Sequence, residues 1–369
     1  MQRPSPACVY LDHAATSPCP PHLLQGFVRY QNEVPWNSET VYEAGLQTKQ
    51  RLEEARQEMA SLLGIRKDQL IFTSGGTEGN NFAAHVLTQQ KTPGVLWVSK
   101  TVHPSQGEHH VRLATLGWNL VELPTLASGA IDLNGLEQLP APQLISVEWV
   151  NSEVGLIQNI DALIAIKNRH KALLWVDGVQ GLGKCPLPRL SEVDAFVFSG
   201  HKLGTPVGVG GIILGSHLKK APYLLGGGQE NGWRSGTVAV PLILTLRDAL
   251  QQSLSAPQAQ ALNCCAELLS YRRPEQNYSP YIYMLNVAPV DGEILLHQLA
   301  AEGIMVGLGS ACRASRKKIS AVHKAMGLNE QQSRQTLRIS FNFRSSAEDL
   351  TWALERIESL WKASQRFYR

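Results

Sequence analysis

Short apolar runs, rich in β-branched residues, alternate along the chain with segments whose apolar positions recur at helical spacing. Such near-continuous runs are typical of strands covered on both faces. Between them lie amphipathic segments, among them residues 47–63, where Leu52, Ala55 and Met59 share one face. This alternation predicts an α/β fold built on a largely parallel sheet. The predicted strands are residues 95–99, 144–150, 173–176, 195–198 and 209–214.

The pattern changes after about residue 246. A polar helical stretch at residues 248–260 is followed by a predicted strand at 281–287. Near the end of the chain, Ser346 and Asp349 have the spacing of a capping box and open a predicted helix. We therefore predict a large domain over residues 14–246. Residues 1–13 with 247–369 are predicted to form a smaller α+β domain.

Composition indicates a globular protein with a sizeable core. The 369 residues are 43% hydrophobic and 18% charged, and the net charge of +3 is too small to indicate nucleic-acid or membrane binding. No apolar run approaches the roughly 18 residues of a membrane helix, and we see no secretory signal. The six cysteines are scattered without metal-site spacing, which predicts no metal centre and a reduced, cytoplasmic protein.

Polar side chains follow four of the predicted strands. Because the carboxyl ends of parallel strands meet at one edge of a sheet, these residues are expected to lie together. A glycine-rich turn at residues 74–77 precedes a predicted helix, and such a turn offers free backbone N–H groups to a phosphate. The polar residues at the strand ends are His103, Asn151, Ser152, Asp177, Gln180, Ser199, His201 and Lys202.

This set matches what pyridoxal 5'-phosphate requires: a lysine for its aldehyde, a carboxylate for its ring nitrogen, an aromatic group to stack on its ring and a phosphate cradle. Each residue alone has a plainer interpretation. Lys202 would be a solvated lysine, Asp177 a turn residue and His103 a polar loop residue. The combination, in this order, indicates the cofactor.

The same motifs resemble those of a known family. The chain resembles cysteine desulfurases, which are class V aminotransferase-type, fold-type I pyridoxal-phosphate enzymes, over nearly its whole length. The resemblance implies a seven-stranded, mostly parallel sheet in the large domain. It rests on the motifs at residues 10–16, 72–78, 150–155, 176–177, 199–202, 226–230, 233–237, 309–312 and 337–340.

The resemblance implies a role for each matching residue. Lys202 would bind the cofactor covalently and move the substrate Cα proton, with His103 stacked on the ring. Arg338 would bind the substrate carboxylate, with Asn37 as a weaker candidate. A homodimer with shared active sites is implied, in which Thr237 reaches the phosphate of the neighbouring subunit. The implied cofactor-binding residues are Gly76, Thr77, His103, Ser152, Asp177, Gln180, Ser199, His201, Lys202 and Thr237.

Cys312 carries the sulfur chemistry in this interpretation. Glycines precede it and five residues of the basic run 313–318 are charged or polar, so neighbouring cations favour its thiolate. The flanks alone leave open an incidental cysteine. The resemblance implies that Cys312 takes sulfur from L-cysteine as a persulfide, releases alanine and passes the sulfur to an acceptor protein.

The sequence departs from the family pattern at two informative places. Ser152 stands where relatives usually have a second asparagine, which puts a cofactor or substrate contact in doubt. The stretch 243–281 is shorter than in relatives, so the acceptor is expected to differ from the usual iron–sulfur scaffold. A dedicated pathway such as nucleic-acid thiolation or phosphorothioation is one hypothesis. The alternatives are a selenocysteine lyase or other β-eliminating lyase, and a scaffold that has lost activity. The joint presence of Lys202, Asp177, Cys312 and Arg338 argues against the scaffold.

Overall fold

The structure is a computed structural model that describes residues 8–256, 265–309 and 319–368. Its strands are β1 Val9–Tyr10, β2 Leu70–Thr73, β3 Val95–Val98, β4 Asn119–Glu122, β5 Leu144–Glu148, β6 Leu173–Asp177, β7 Ala195–Ser199, β8 Gly210–Leu214, β9 Ile282–Asn286, β10 Ile304–Met305 and β11 Thr336–Ser340. Its α-helices are α1 Pro21–Glu33, α2 Glu43–Leu62, α3 Gly76–Gln90, α4 Pro104–Thr115, α5 Ile160–His170, α6 Val240–Ser255, α7 Gly292–Ala301, α8 Ala321–Ala325, α9 Glu330–Arg334 and α10 Ala347–Ser364.

Seven strands form the main sheet in the order β2-β8-β7-β6-β5-β3-β4. The pairs β7–β6, β6–β5, β5–β3 and β3–β4 are parallel, whereas β8 is antiparallel to both β7 and β2. Only residues 200–209 connect β7 to β8, too short a stretch for the crossover that a parallel pair needs. The predicted α/β fold with a mostly parallel seven-stranded sheet is confirmed.

Successive residues of the central strands point into two different hydrophobic cores. In β6, Leu173 and Trp175 pack with α3 and α4, whereas Leu174 and Val176 pack with α2, α5 and α6. This alternation follows from the two-residue repeat of a strand. Both faces of the sheet are therefore covered, which explains why its strands are nearly continuous apolar runs.

A third hydrophobic core belongs to the later part of the chain. The strands β9 and β11 pair antiparallel, and α7 and α10 pack beside them. The short β1 joins this core by pairing with β10 in parallel. The smaller α+β unit is thus present, and it recruits the N-terminal strand. The exact domain boundaries stay a prediction; α6 continues through residue 246, and its buried residues pack in the core shared with α2 and α5.

The predicted C-terminal helix begins as its sequence indicates. The Oγ of Ser346 accepts a hydrogen bond from the backbone N–H of Asp349, at 3.3 Å. Burial of Trp352, Ile357 and Trp361 on one face then fixes α10 against the third core. Within the part of the chain that the structure describes, no helix has both the length and the apolar character to span a membrane.

Candidate active site

A cavity of about 430 Å³ opens at the carboxyl ends of the parallel strands. Its size lies in the range of cofactor sites, about 300–1,000 Å³. The cavity brings together nearly all the residues predicted from the sequence. Those that line it are Gly76, Thr77, His103, Ser152, Asp177, Gln180, Ser199, His201, Lys202 and Arg338.

One end of the cavity is an anion cradle at the start of α3. Gly75 has a φ of 154°, a conformation that side chains disfavour, and α3 begins at the next residue. A Cβ on Gly76 would lie 2.8 Å from Cγ2 of Val179, so only glycine fits there. The hydroxyl of Ser199 stands opposite the turn. Free N–H groups and the positive end of the helix dipole therefore face the cavity.

The glycine-rich turn is held in place by Glu78 in the first turn of α3. Its carboxylate accepts a hydrogen bond from the backbone N–H of Ser74 at 2.7 Å and pairs with Arg234 at 2.7 Å. The pKa of Glu78 is lowered, since these partners together outweigh burial, which is the largest single influence. This ion pair ties the segment around Arg234 to the anion cradle.

Lys202 lies between the cradle and the rest of the cavity. Its Nζ donates hydrogen bonds to the backbone oxygens of Ala14 and Ala15, both at 2.6 Å. The neighbouring His201 has its pKa lowered to about 4 by burial and by the charges of Lys202 and Lys184. A bound phosphate would reverse this repulsion, because an anion next to an imidazole favours its charged form.

Lys184 is a second amine at this end of the site. Its Nζ donates to Oε1 of Gln180 at 3.3 Å, which directs the amide nitrogen of Gln180 the other way, toward the backbone oxygen of Ala14 at 2.8 Å. Burial and then the charge of Lys202 lower the pKa of Lys184 to about 7. Lys184 therefore orients Gln180, and its own charge is disfavoured by the neighbouring Lys202.

Asp177 provides the carboxylate at the end of β6. It is 7% exposed, and its oxygens accept hydrogen bonds from the side chain of Asn80 at 2.7 Å and from the backbone N–H of Val179 at 3.0 Å. Asn80 is fixed in turn by the indole N–H of Trp175. Two donors therefore hold the carboxylate in one orientation.

His103 caps the start of α4. Its Nδ1 accepts the backbone N–H of Ser105 at 3.1 Å, which places the proton of the neutral ring on Nε2. Burial lowers the pKa of His103, and the nearby Asp177 opposes that effect. The imidazole is thus neutral near neutral pH and has a fixed tautomer.

Arg338 lies on β11, at the far side of the cavity. Nη2 pairs with Asp12 at 2.7 Å, and Nη1 donates to the backbone oxygens of Ser152 and Gly309 at 3.0 and 2.9 Å. Its Nε has no hydrogen-bond partner among the described residues, although the side chain is buried. A buried guanidinium with an unused donor suits a carboxylate ligand.

Three predicted site residues are not placed in the cavity. Asn37 is exposed and stabilises a turn by accepting the backbone N–H of Glu39. Thr237 is also exposed and does not line the cavity of this single chain. Cys312 lies outside the described residues. Among the residues that are described, no group of acidic, histidine or cysteine side chains has the arrangement of a metal site.

Sequence reasoning missed several residues that shape the site. Asn80 and Asp12 give no local signal, because their partners Asp177 and Arg338 are distant in the chain. Lys184 follows a glycine-rich turn and has the sequence context of a solvated lysine. Glu148 did give a signal, since it is a lone acid inside the apolar run 144–150.

Comparison with known proteins agrees with this geometry. The model of the aminotransferase class-V family matches residues 9–352. The chain belongs to this family. An IscS-like cysteine desulfurase of Mycobacterium tuberculosis is 31% identical over 382 residues, covering 94% of each chain. Among solved structures, a NifS-like protein has a TM-score of 0.84 at 25% identity, covering 96% of this chain and 99% of its own. SspA in complex with cysteine has a TM-score of 0.77 at 25% identity, and the match covers 92% of this chain and 100% of the SspA chain.

Class-V family members are pyridoxal 5'-phosphate enzymes, and the cavity fits that cofactor. The anion cradle at Gly75 and Gly76 suits its phosphate, and the doubly held Asp177 suits its ring nitrogen. Lys202 lines the same cavity, and its amine is the group that would hold the cofactor aldehyde. When bound, the cofactor supplies an electron sink for the substrate carbon that loses its proton.

We predict that Arg338→Lys weakens substrate binding without removing the cofactor. Lysine keeps the charge but lacks the Nε–H, which is the donor of Arg338 that has no hydrogen-bond partner among the described residues. The kcat/KM for L-cysteine should fall by about 10- to 100-fold, mainly through KM. Arg356→Lys, which alters a surface ion pair with Glu302, is the matched control. An unchanged KM, with an unchanged absorbance spectrum, would contradict the assignment.

Proposed function

We propose that the protein is a cysteine desulfurase, which removes sulfur from L-cysteine and passes it through Cys312 to an acceptor protein. The observation that carries the proposal is one cavity that contains Lys202, Asp177 and Arg338, in a chain that is similar to a cysteine desulfurase over 94% of its length. The complex of a structural relative with cysteine supports the same substrate class.

The residues of the cavity have different roles, which follow from their positions. Arg338 binds the substrate carboxylate and so sets which end of the amino acid faces Lys202. The amine of Lys202 moves the proton at the substrate Cα. Hydrogen bonds to the backbone oxygens of Ala14 and Ala15 hold this amine in place. His103 is neutral and has a fixed tautomer, and its imidazole would stack on the cofactor ring next to Asp177.

Sulfur transfer needs a nucleophile at the cavity, and we assign it to Cys312. Gly309 and Ala321, on either side of the segment that contains Cys312, both line the cavity. The Cys312 thiolate attacks the substrate sulfur, so that an S–S bond forms and the substrate C–S bond breaks. The electron pair of that bond stays with the carbon fragment, which takes up a proton and leaves as alanine. The products are thus alanine and a persulfide on Cys312.

The proposal includes a second copy of the chain. Arg234 is tied to Glu78 beside the anion cradle, yet the nearby Thr237 is exposed and outside the cavity of its own chain. Thr237 is therefore available to the phosphate site of a partner subunit. Use of a dedicated pathway, such as nucleic-acid thiolation or phosphorothioation, stays a prediction.

A single-turnover experiment tests the activity. The cofactor-loaded protein is mixed with L-cysteine without any acceptor thiol, and alanine and protein-bound persulfide are measured together. We expect equal amounts of the two, about one per active site, because each transfer consumes one thiolate. Release of pyruvate and free sulfide without persulfide would instead show a β-eliminating lyase. Turnover of L-selenocysteine with no reaction of L-cysteine would show a selenocysteine lyase.

A further inference from the structure

Glu148, the last residue of β5, is a buried acid that the mechanism above does not use. It is 4% exposed and lines the cavity. Its Oε1 accepts a hydrogen bond from the hydroxyl of Thr101. Its Oε2 is buried and has no hydrogen-bond partner within the described ranges. Because an unpartnered buried polar atom costs free energy, this oxygen indicates a partner that does not belong to the chain.

Burial raises the pKa of Glu148, and the surrounding polar groups, with the hydroxyl of Thr101 first among them, lower it without cancelling that effect. The carboxyl therefore retains its proton at pH values where surface carboxyls are ionised. Since Oε1 is already an acceptor, the proton belongs on Oε2. In its protonated form, Glu148 thus presents a hydrogen-bond donor to the cavity.

The strand order places this donor relative to the other cofactor groups. The anion cradle lies beside the end of β7, Asp177 ends β6, and Glu148 ends β5, the next strand in the same direction. Glu148 and Asp177 are register partners, so their side chains leave the same face of the sheet. In pyridoxal phosphate, the phosphate arm is opposite the ring methyl, which lies between the ring nitrogen and the hydroxyl-bearing carbon. If the cofactor phosphate lies in the anion cradle and its ring nitrogen lies at Asp177, the ring edge with the methyl and hydroxyl groups faces β5.

The side chain at position 152 makes this edge unusual. Ser152 lines the cavity where the sequence pattern leads one to expect asparagine, and its side chain is too short to replace the amide. We propose that Glu148 is a cofactor-positioning residue that donates a hydrogen bond from Oε2 to the hydroxyl-bearing edge of bound pyridoxal phosphate. The inference rests on the proposed function through its cofactor, and it assigns to Glu148 a contact that Ser152 cannot make.

Other titratable groups near Glu148 differ from it in their hydrogen bonding, their protonation or their place in the fold. Asp177 on β6 is held by two donors, and His103 at the start of α4 is neutral. Farther along α4, His110 bonds to the hydroxyl of Ser146 and has its pKa lowered to about 4 by burial. Lys202 faces the cavity from the end of β7. A comparison at fixed pH between variants at position 148 leaves all these groups unchanged.

The test uses the full chain, refolded or purified without cofactor and then titrated with pyridoxal phosphate. We compare Glu148→Met, which removes the donor, and Glu148→Gln, which retains a donor that cannot ionise. Glu137→Gln, which alters an exposed carboxyl that does not line the cavity, is the control. We expect Glu148→Met to weaken cofactor binding by about tenfold and Glu148→Gln by less than about twofold at neutral pH.

The pH dependence provides a second readout that needs no activity and does not depend on the methionine variant folding. As pH rises through the raised pKa of Glu148, the wild-type carboxyl ionises and loses its donor, whereas the amide of Glu148→Gln keeps its own. Cofactor affinity of the wild type should therefore fall relative to Glu148→Gln at alkaline pH. Identical pH profiles for these two proteins would overturn the proposal, as would wild-type affinity in Glu148→Met.

Failure of this proposal is distinguishable from failure of the proposed function. If the wild type binds pyridoxal phosphate and forms alanine, but position 148 has no effect on affinity or its pH profile, only the role of Glu148 is wrong. If the wild type itself fails to bind the cofactor, the cofactor assignment fails and no conclusion about a contact with Glu148 survives.

Discussion

Replacing Lys202 by alanine should abolish the visible absorbance band of the bound cofactor and lower turnover by at least about 10³-fold. The amine is the group that both holds the cofactor covalently and moves the substrate proton, so its loss removes two functions at once. Spectra of the cofactor-titrated protein and steady-state alanine formation measure the two effects separately. Binding of pyridoxal phosphate through the anion cradle and Asp177 should persist, detectable as quenching of protein fluorescence.

Lys184→Ala is the matched control for this experiment. It removes the other amine at the same end of the cavity, one that orients Gln180 but does not donate to Ala14 or Ala15. We expect its absorbance band to remain and to respond to pH differently from that of the wild type, because the neighbouring charge is gone. A persistent visible band in Lys202→Ala, or its loss only in Lys184→Ala, would contradict the assignment of Lys202.

Replacing Cys312 by serine should stop persulfide formation and lower alanine production from L-cysteine by at least about 10³-fold. A hydroxyl at this position is a far poorer nucleophile toward sulfur than a thiolate. The absorbance band of the cofactor should be unchanged, because Lys202 and the cradle are intact. Mass spectrometry of the protein after reaction with L-cysteine measures the added sulfur directly.

Two other cysteines give controls for that prediction. Cys8 is exposed and Cys185 is buried, and burial raises the pKa of Cys185. Cys8→Ser should therefore form persulfide as the wild type does. Persulfide on Cys8 or Cys185 in the Cys312→Ser variant, with alanine still released at the wild-type rate, would show that another thiol receives the sulfur.

The sequence predicted the central strands well because they are covered on both faces and so are nearly continuous apolar runs. The edge strands β2 and β4 were not predicted. Thr73 of β2 leads directly into the glycine-rich turn, and both ends of β4 are polar and exposed. The antiparallel direction of β8 was foreseeable from the short connection 200–209. Apolar composition alone does not report the direction of a strand.

The site was predictable where chemistry follows a strand, and much less so elsewhere. Asp177 and Lys202 were identified because parallel strands deliver their final residues to one edge. Glu148 was overlooked because it lies inside the predicted strand 144–150, whose apolar pattern indicated only core residues. In the structure, β5 ends at Glu148. The pairing of Asp12 with Arg338 joins residues 326 positions apart, and no local pattern encodes such a contact.

The pairing of β1 with β10 and of Asp12 with Arg338 has a consequence for synthesis of the chain. When the strands of the main sheet have been synthesised, β10 and Arg338 have not yet been made. The strand β1 and the side chain of Asp12 therefore lack these partners until late in translation. The amine of Lys202 shares this dependence, because it is held by Ala14 and Ala15 just beyond β1. We therefore expect nascent chains to acquire a stable sheet well before they are able to retain the cofactor.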